Sequence, residues 1–162
     1  MTIIAELAPV EPQESEFVDR MGLVMERLGG TRTMGRLHAW LMICDPPDRS
    51  LTDLAAELGV SKTAVSTVAR QLEVSGMIER VPTAAREHRY RIIGGGWAQV
   101  MQVQLDGVRR SLETLDFGLS ILGEGPPERR ARVEDTREFF DFILRDSEEM
   151  LERWAEYRKK SS

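Results

Sequence analysis

The sequence predicts a mainly α-helical fold with one small β-hairpin, an α+β class in which a compact motif is flanked by long helices. Apolar residues recur at intervals of three and four along most of the 162-residue chain, the pattern of a helix with one buried face. Two short segments, residues 77–81 and 88–93, are rich in β-branched and aromatic residues, which favour strands. Glycines and prolines interrupt the pattern where helices would end.

Composition limits the class of protein. A hydrophobic fraction of 41% and a charged fraction of 30% are ordinary for a folded globular chain. No stretch approaches about 18 uncharged apolar residues and the start lacks a signal-peptide pattern, so we expect a cytoplasmic protein. Cys44 is the single cysteine, and with two histidines it gives neither an intramolecular disulfide nor a zinc site of usual composition. We therefore expect no cofactor and no metal.

The N-terminal part is predicted as a tail followed by two helices. Residues 1–13 contain two prolines and little periodicity, so we predict a flexible tail. Residues 14–48 should hold two helices that serve dimerisation and support. The first would end near Gly29, and its buried face would consist of Phe17, Met21, Val24 and Leu28.

The second helix is predicted from about residue 33 to residue 44. Pro46 and Pro47 stop it, because proline cannot donate a backbone hydrogen bond and disfavours helix before it. Its buried stripe would consist of Leu37, Leu41 and Cys44.

Residues 49–95 are predicted to form a winged helix-turn-helix. Ser50 can accept hydrogen bonds from the first free N–H groups of a short helix, residues 51–58. Ser61 can do the same for the next helix, residues 62–75. The sequence therefore places two capped helices directly before the hairpin.

The turn between these helices has the residues that a steep helix crossing needs. Gly59 can take the left-handed conformation that ends one helix. Ala55 and Val65 supply a small residue and an inward apolar residue where the helices meet. The hairpin that follows has a basic tip and would form the wing.

Residues 96–162 are predicted to form two long dimerisation helices. Leucines and aromatic residues such as Leu105, Leu112 and Phe140 repeat on both at steps of four and three. These stripes exceed what a winged domain of roughly 80 residues can cover, and a second copy is the simplest partner. The alternative, in which the two helices pair within a monomer, stays open.

The outward face of the second motif helix suits DNA. Its residues off the buried stripe are hydroxyls, amides and cations, which contact phosphates and base edges, and a basic wing adds a contact to the backbone or minor groove. The candidate DNA-binding residues are Lys62, Thr63, Ser66, Thr67, Arg70, Arg86 and Arg89. They predict a sequence-specific regulator of double-stranded DNA, and a twofold dimer would read an inverted repeat with recognition helices about 34 Å apart.

Net charge alone argues against a nucleic-acid partner, but its distribution does not. The chain carries a formal charge of -5. Residues 49–91 contain seven basic and five acidic residues, whereas the remainder contains 15 basic and 22 acidic ones. One module that faces phosphate, in an otherwise acidic protein, gives this asymmetry.

The motif resembles MarR-type winged-helix regulators in LAAELGVSKTAVS (residues 54–66) and LEVSGMIERV (residues 72–81). Residues 35–47 and the Arg89-Tyr90-Arg91 segment are closer to the GbsR-like branch. The resemblance covers about residues 17–97 and implies an obligate dimer, DNA read by helix 62–75 in the major groove, and repression relieved by a small ligand. The Asp-x-Arg wing signature common in MarR proteins is absent, which leaves open which wing arginine enters the minor groove.

Other functional interpretations have less support in the sequence. No nucleophile, acid and base can be assembled from two histidines and scattered carboxylates, so we expect no enzyme. Cys44 and His38 are more typical of a core than of a redox sensor or a switch. An effector pocket could be lined by Trp40, Met34, Met42 and Met101, but core packing explains these residues equally well. The competing functions are a winged-helix protein-interaction module without DNA binding and a regulator without an effector.

Overall fold

The computed structural model describes residues 9–84 and 86–162. Over these residues the chain forms helices and three short strands. In chain order they are α1 (Pro12–Arg27), α2 (Arg32–Ile43), β1 (Asp48–Ser50), α3 (Leu51–Leu58), α4 (Lys62–Val74), β2 (Ile78–Val81), β3 (Arg89–Ile92), α5 (Gly96–Ile121) and α6 (Pro127–Lys160). The predicted mainly helical class with a small sheet is confirmed.

The chain divides into two compact units. The first ends at Trp97 and contains α1 to β3 together with the first two residues of α5. The second runs Ala98–Ser162 and contains the rest of α5 and all of α6.

The first helix begins earlier than predicted. Proline is favoured at the first helical position because its missing N–H would have no partner there, and Pro12 opens α1 in this way. The backbone N–H of Glu11 donates to Glu14 Oε2 at 3.0 Å, which secures the helix start. The predicted tail of residues 1–13 was therefore wrong at residues 12–13, and its residues 1–8 lie outside the described part of the chain.

The predicted buried face of α1 was also wrong. α1 packs on α2 through Val18, Gly22 and Met25, which are buried. A Cβ atom on Gly35 of α2 would lie 2.5 Å from the Met21 carbonyl oxygen and 2.7 Å from the Gly22 Cα atom. This close crossing turns the glycine side of α1 inward, so three of the four residues predicted as buried are exposed: Phe17, Val24 and Leu28.

The motif core matches the sequence pattern more closely. α2 contacts α3, α4 and β3, so it lies at the centre of the first unit. The predicted stripes of α2 and α4 are confirmed, since each member is buried: Leu37, Leu41 and the C-cap residue Cys44 for α2, and Val65, Val68, Ala69 and Leu72 for α4.

The sheet has three antiparallel strands in the order β1-β3-β2. β2 and β3 are the predicted hairpin, and Arg80 pairs with the buried Tyr90. β1 was not predicted. It pairs Arg49 with Tyr90 on the other side of β3, which attaches the hairpin to the segment that precedes α3.

Ion pairs join α5 and α6. Arg109 of α5 bonds to Glu148 of α6, and Arg137 of α6 bonds to Asp116 of α5. The hydrogen bond from Arg137 lowers the pKa of Asp116. Although the structure describes all 34 residues of α6, none of them is buried.

His38 and Cys44 are core residues. His38 is 3% exposed and meets Trp97 edge-on with ring centroids 5.7 Å apart. Its Nδ1 has no hydrogen-bond partner among the described residues, and burial lowers its pKa. Burial raises the pKa of the Cys44 thiol, which disfavours the thiolate that a redox sensor needs.

We expect the free energy of unfolding to fall as the pH drops below about 6.5, the ordinary pKa of histidine. The folded-state pKa of His38 is lower than the unfolded one, so the unfolded chain takes up the proton first. Urea unfolding followed by tryptophan fluorescence at about pH 7.5 and about pH 5.5 measures this.

His38→Leu should reduce the pH dependence, whereas His88→Gln, at an exposed position, should leave it unchanged. Equal pH dependence in the wild type and the His38→Leu protein would contradict this role of His38.

Candidate nucleic-acid interface

The helix-turn-helix consists of α3 and α4. Ser50 and Asp53 hold the start of α3 reciprocally, with the Ser50 N–H donating to Asp53 Oδ2 at 3.1 Å and the Asp53 N–H to Ser50 Oγ at 3.0 Å. Gly59 ends α3 with φ of 64°, in the left-handed region that favours glycine. The Ser61 hydroxyl then accepts from the Ala64 N–H at 3.1 Å and begins α4.

α4 presents a polar face to solvent. Four of its predicted DNA-binding residues are exposed: Lys62, Thr63, Thr67 and Arg70. Ser66, the fifth, is half-buried. The Thr67 hydroxyl donates to the Thr63 carbonyl oxygen at 3.0 Å. This outer surface carries cations, hydroxyls and methyl groups, the groups that contact phosphates and base edges.

A buried ion pair fixes the orientation of α3. Arg49 of β1 and Glu57 of α3 have side chains 4% and 6% exposed, with Arg49 Nε 3.0 Å from Glu57 Oε1. The indole N–H of Trp40, in α2, donates to Glu57 Oε2 at 2.5 Å. The other nitrogens of Arg49 donate to backbone carbonyl oxygens, those of Asp45, Pro46 and Asp48. Every charged group in the cluster therefore has a partner, as burial requires.

Trp40 is thus part of the core. Of the other residues predicted to line a pocket, Met42 and Met101 are each 40% exposed. A shallow hollow of about 330 Å³ does occur, lined by Gln13, Glu14, Phe17 and Ile43. None of these four residues was predicted to bind an effector.

The wing is formed by β2, β3 and the loop between them. Its tip is closed by the Thr83 hydroxyl, which donates to the Glu87 carbonyl oxygen at 3.1 Å. Arg86 is exposed in this tip. Arg89 lies at the base of the wing, where its Nε donates to Asp48 Oδ1 at 2.6 Å and its guanidinium is also 3.5 Å from Asp53. The hydrogen bond to Asp48 raises the pKa of Arg89.

Ion pairing divides the seven basic residues of positions 49–91 into two groups. Four have acidic partners: Arg49 with Glu57, Arg80 with Glu73, Arg89 with Asp48 and Asp53, and Arg91 with Glu79. Among the described residues no acidic side chain pairs with the other three, Lys62, Arg70 and Arg86. All three are exposed, so they are the cations of the motif that are free to meet phosphate.

The structure thus places six of the seven predicted DNA-binding residues on α4 or the wing tip, and binds the seventh, Arg89, to acidic groups. The sequence analysis missed the acidic partners Asp48, Asp53 and Glu57. Asp48 and Arg89 are 41 residues apart in sequence, and no local spacing connects them. Only Asp53 had a signal, its position three residues after a serine cap.

Two further site classes have no support in the part of the chain that the structure describes. No group of three or more His, Cys, Asp or Glu side chains there could hold a metal ion. No helix in that part is long and apolar enough to cross a membrane.

Comparisons with known proteins agree with this geometry. Residues 41–87 match the model of the MarR family, and residues 95–157 match that of MmpR5-like MarR family transcriptional regulators. The chain is 33% identical to the HTH-type transcriptional regulator MmpR5 of Mycobacterium tuberculosis strain H37Rv over 147 residues, which is 90% of this chain and 89% of that protein.

Solved structures show the same architecture. The crystal structure of a transcriptional regulator superposes with a TM-score of 0.75 at 32% identity, covering 90% of this chain and 99% of that one. TrmBL2, an archaeal chromatin protein, superposes with a TM-score of 0.55 at 19% identity, over 65% of this chain and 40% of that one. This second likeness concerns the fold alone.

Glu57→Ala should lower the free energy of unfolding by about 3–5 kcal/mol, because it leaves the Arg49 guanidinium buried without its counter-charge. Removing both charges in Arg49→Met/Glu57→Leu should cost less than Glu57→Ala alone. Urea denaturation monitored by circular dichroism measures both. The matched control is Glu16→Ala, which removes an exposed partner of Arg20 and should change stability by less than about 0.5 kcal/mol. A similar loss in Glu57→Ala and the control would contradict this role for the buried pair.

Proposed function

The chain belongs to the MarR family of transcriptional regulators, and we propose that it is a homodimeric repressor that binds an inverted repeat in double-stranded DNA. α4 lies in the major groove, and the wing contacts the backbone or minor groove. The observation that carries the proposal is the position of the motif's three unpaired cations. Lys62, Arg70 and Arg86 are exposed on α4 and the wing tip, whereas the other four basic residues of the motif are neutralised by acids.

The chemistry of the outer surface of α4 supports base reading. Arg70 can donate two hydrogen bonds to the major-groove edge of guanine, and threonine methyl groups can contact the thymine methyl. Because the Thr67 hydroxyl is bonded to the Thr63 carbonyl oxygen, its methyl group is the part of that side chain available to a base.

Exposed apolar side chains support the dimer. The outward face of α6, defined here as Phe139, Met150, Trp154 and Tyr157, is 40–62% exposed in its four members. Trp154 and Tyr157 stack with ring centroids 5.8 Å apart. Apolar surface of this kind marks a protein interface, and a symmetric second copy would bury it and set two α4 helices one DNA turn apart.

Two finer parts of the proposal rest on resemblance. Release from DNA by a small-molecule effector is what the resemblance to MarR-type regulators implies. The GbsR-like assignment of residues 35–47 stays a prediction, since the family models that match are the MarR and MmpR5-like ones.

DNA binding is tested by selecting a duplex from random sequence with the full-length protein and titrating its affinity against salt. Four phosphate contacts predict a slope of about -3.6 in a plot of log affinity against log salt concentration. Arg70→Ala should weaken binding by about 1–3 kcal/mol, while Arg27→Ala, which changes an exposed arginine of α1, should not. A slope near zero, with no sequence enriched, would instead favour the protein-interaction module.

Phe139→Glu should dissociate the dimer, because it places a charge within the proposed apolar interface. Sedimentation velocity at micromolar protein concentration distinguishes dimer from monomer. Glu152→Lys, an exposed charge change on the same helix, should leave the dimer intact. A dimer that persists in Phe139→Glu would remove the outward face of α6 from the interface.

A further inference from the structure

The wing contains two arginines that the sequence analysis assigned to DNA, and their surroundings differ. Arg86 is exposed in the tip, and among the described residues no carboxylate pairs with it. Arg89 begins β3, opposite Ser50 of β1. Its side chain is 30% exposed and is held by acidic groups on two different elements.

The bonds of Arg89 connect the wing to the helix-turn-helix. Its Nε donates to Asp48 Oδ1 at 2.6 Å and one terminal nitrogen to the Asp48 carbonyl oxygen at 3.2 Å. The other terminal nitrogen is 3.5 Å from Asp53 Oδ2. That same Asp53 oxygen accepts the Ser50 N–H at the start of α3. Arg89 is thus the link through which β3 is held to the first helix of the motif.

These bonds conflict with a second role on DNA. Arginine has no acceptor and presents its donors in a fixed fork, and here all three guanidinium nitrogens face Asp48 or Asp53. Two carboxylates and one guanidinium leave the cluster with a net negative charge, which repels a phosphate. A phosphate bound to the remaining N–H groups of Arg89 would lie beside both carboxylates, whose charge disfavours that contact.

We infer that Arg86 is the wing residue that contacts a DNA phosphate, and that Arg89 is a positioning residue that fixes the wing against α3 through Asp48 and Asp53. This inference rests on the proposed DNA-binding function. It corrects the expectation that both arginines contact DNA. Arg86 supplies the charge that meets the phosphate, and Arg89 makes the bonds that hold the wing in place.

The test compares salt dependence for variants of the full-length protein on the selected duplex. Arg86→Ala removes one phosphate contact per protomer, so the slope of the dimer should fall by about 1.8 in magnitude. The affinity lost between about 50 and about 200 mM salt then becomes about 12-fold smaller. Arg86→Lys keeps the charge and should keep the slope.

Arg89 variants should behave differently. Arg89→Ala and Asp48→Asn should weaken binding by a similar factor, because each breaks the bond that holds the wing in place. Arg89→Lys should resemble Arg89→Ala, because an ammonium group cannot span both carboxylates. Arg89→Ala/Asp48→Asn should bind no more weakly than the poorer of the two single variants, because both changes break the same bond. If Arg89→Ala weakens binding while Asp48→Asn binds as tightly as the wild type, Arg89 contacts DNA itself and the inference is overturned.

A measurement without DNA keeps the inference separate from the proposed function. Backbone amide exchange of Tyr90 and Arg91 in the free protein should be faster in Arg89→Ala and Asp48→Asn than in the wild type, and unchanged in Arg86→Ala. If the wild type shows no salt-dependent DNA binding, the proposed function fails while this exchange pattern still tests the link between β3 and α3. Unchanged exchange in Arg89→Ala would refute the positioning role.

Discussion

The buried ion pair between Arg49 and Glu57 is the interaction on which the arrangement of the motif depends. It joins three elements that share no continuous stretch of sequence: α2 through Trp40, β1 through Arg49 and α3 through Glu57. A buried charge is tolerated only when its partners are all in place, so the geometry of these elements is determined together. Since α3 orients α4, and β1 carries β3, the positions of α4 and of the wing both depend on this cluster.

Ion pairing also explains how an acidic protein can present a DNA-binding surface. Four of the five acids within positions 49–91 pair with cations of the motif, and the cations for which the described residues supply no acidic partner lie on α4 and the wing tip. Counting charges along the sequence treats Arg49 and Arg70 alike. The structure separates them, because one is buried among carbonyl oxygens and a carboxylate while the other is exposed.

Local signals in the sequence predicted the local structure of the motif. Serine caps and Gly59 locate α3 and α4, and the three-and-four spacing identifies the buried stripe of α4. Apart from the start of α1, where Pro12 opens the helix, the failures concern contacts between distant segments. β1 is three residues, Asp-Arg-Ser, with no strand preference of their own, and it exists because Tyr90 lies beside it. The buried side of α1 is decided by Gly35 of another helix. The bond between Asp48 and Arg89 likewise depends on sheet order, which spacing does not encode.

In the second unit, the stability of α5 and α6 and the proposed dimerisation depend on the same exposed surface. The described contacts between α5 and α6 include ion pairs of Arg109 and Arg137 whose side chains are substantially exposed, and exposed pairs contribute little to stability. α6 has no buried residue and exposes aromatic side chains along its outward face, so a single copy buries little of this helix. If a second copy supplies that burial, folding of the unit depends on protein concentration. The same association would bring two copies of α4 into one molecule, which a symmetric DNA site requires.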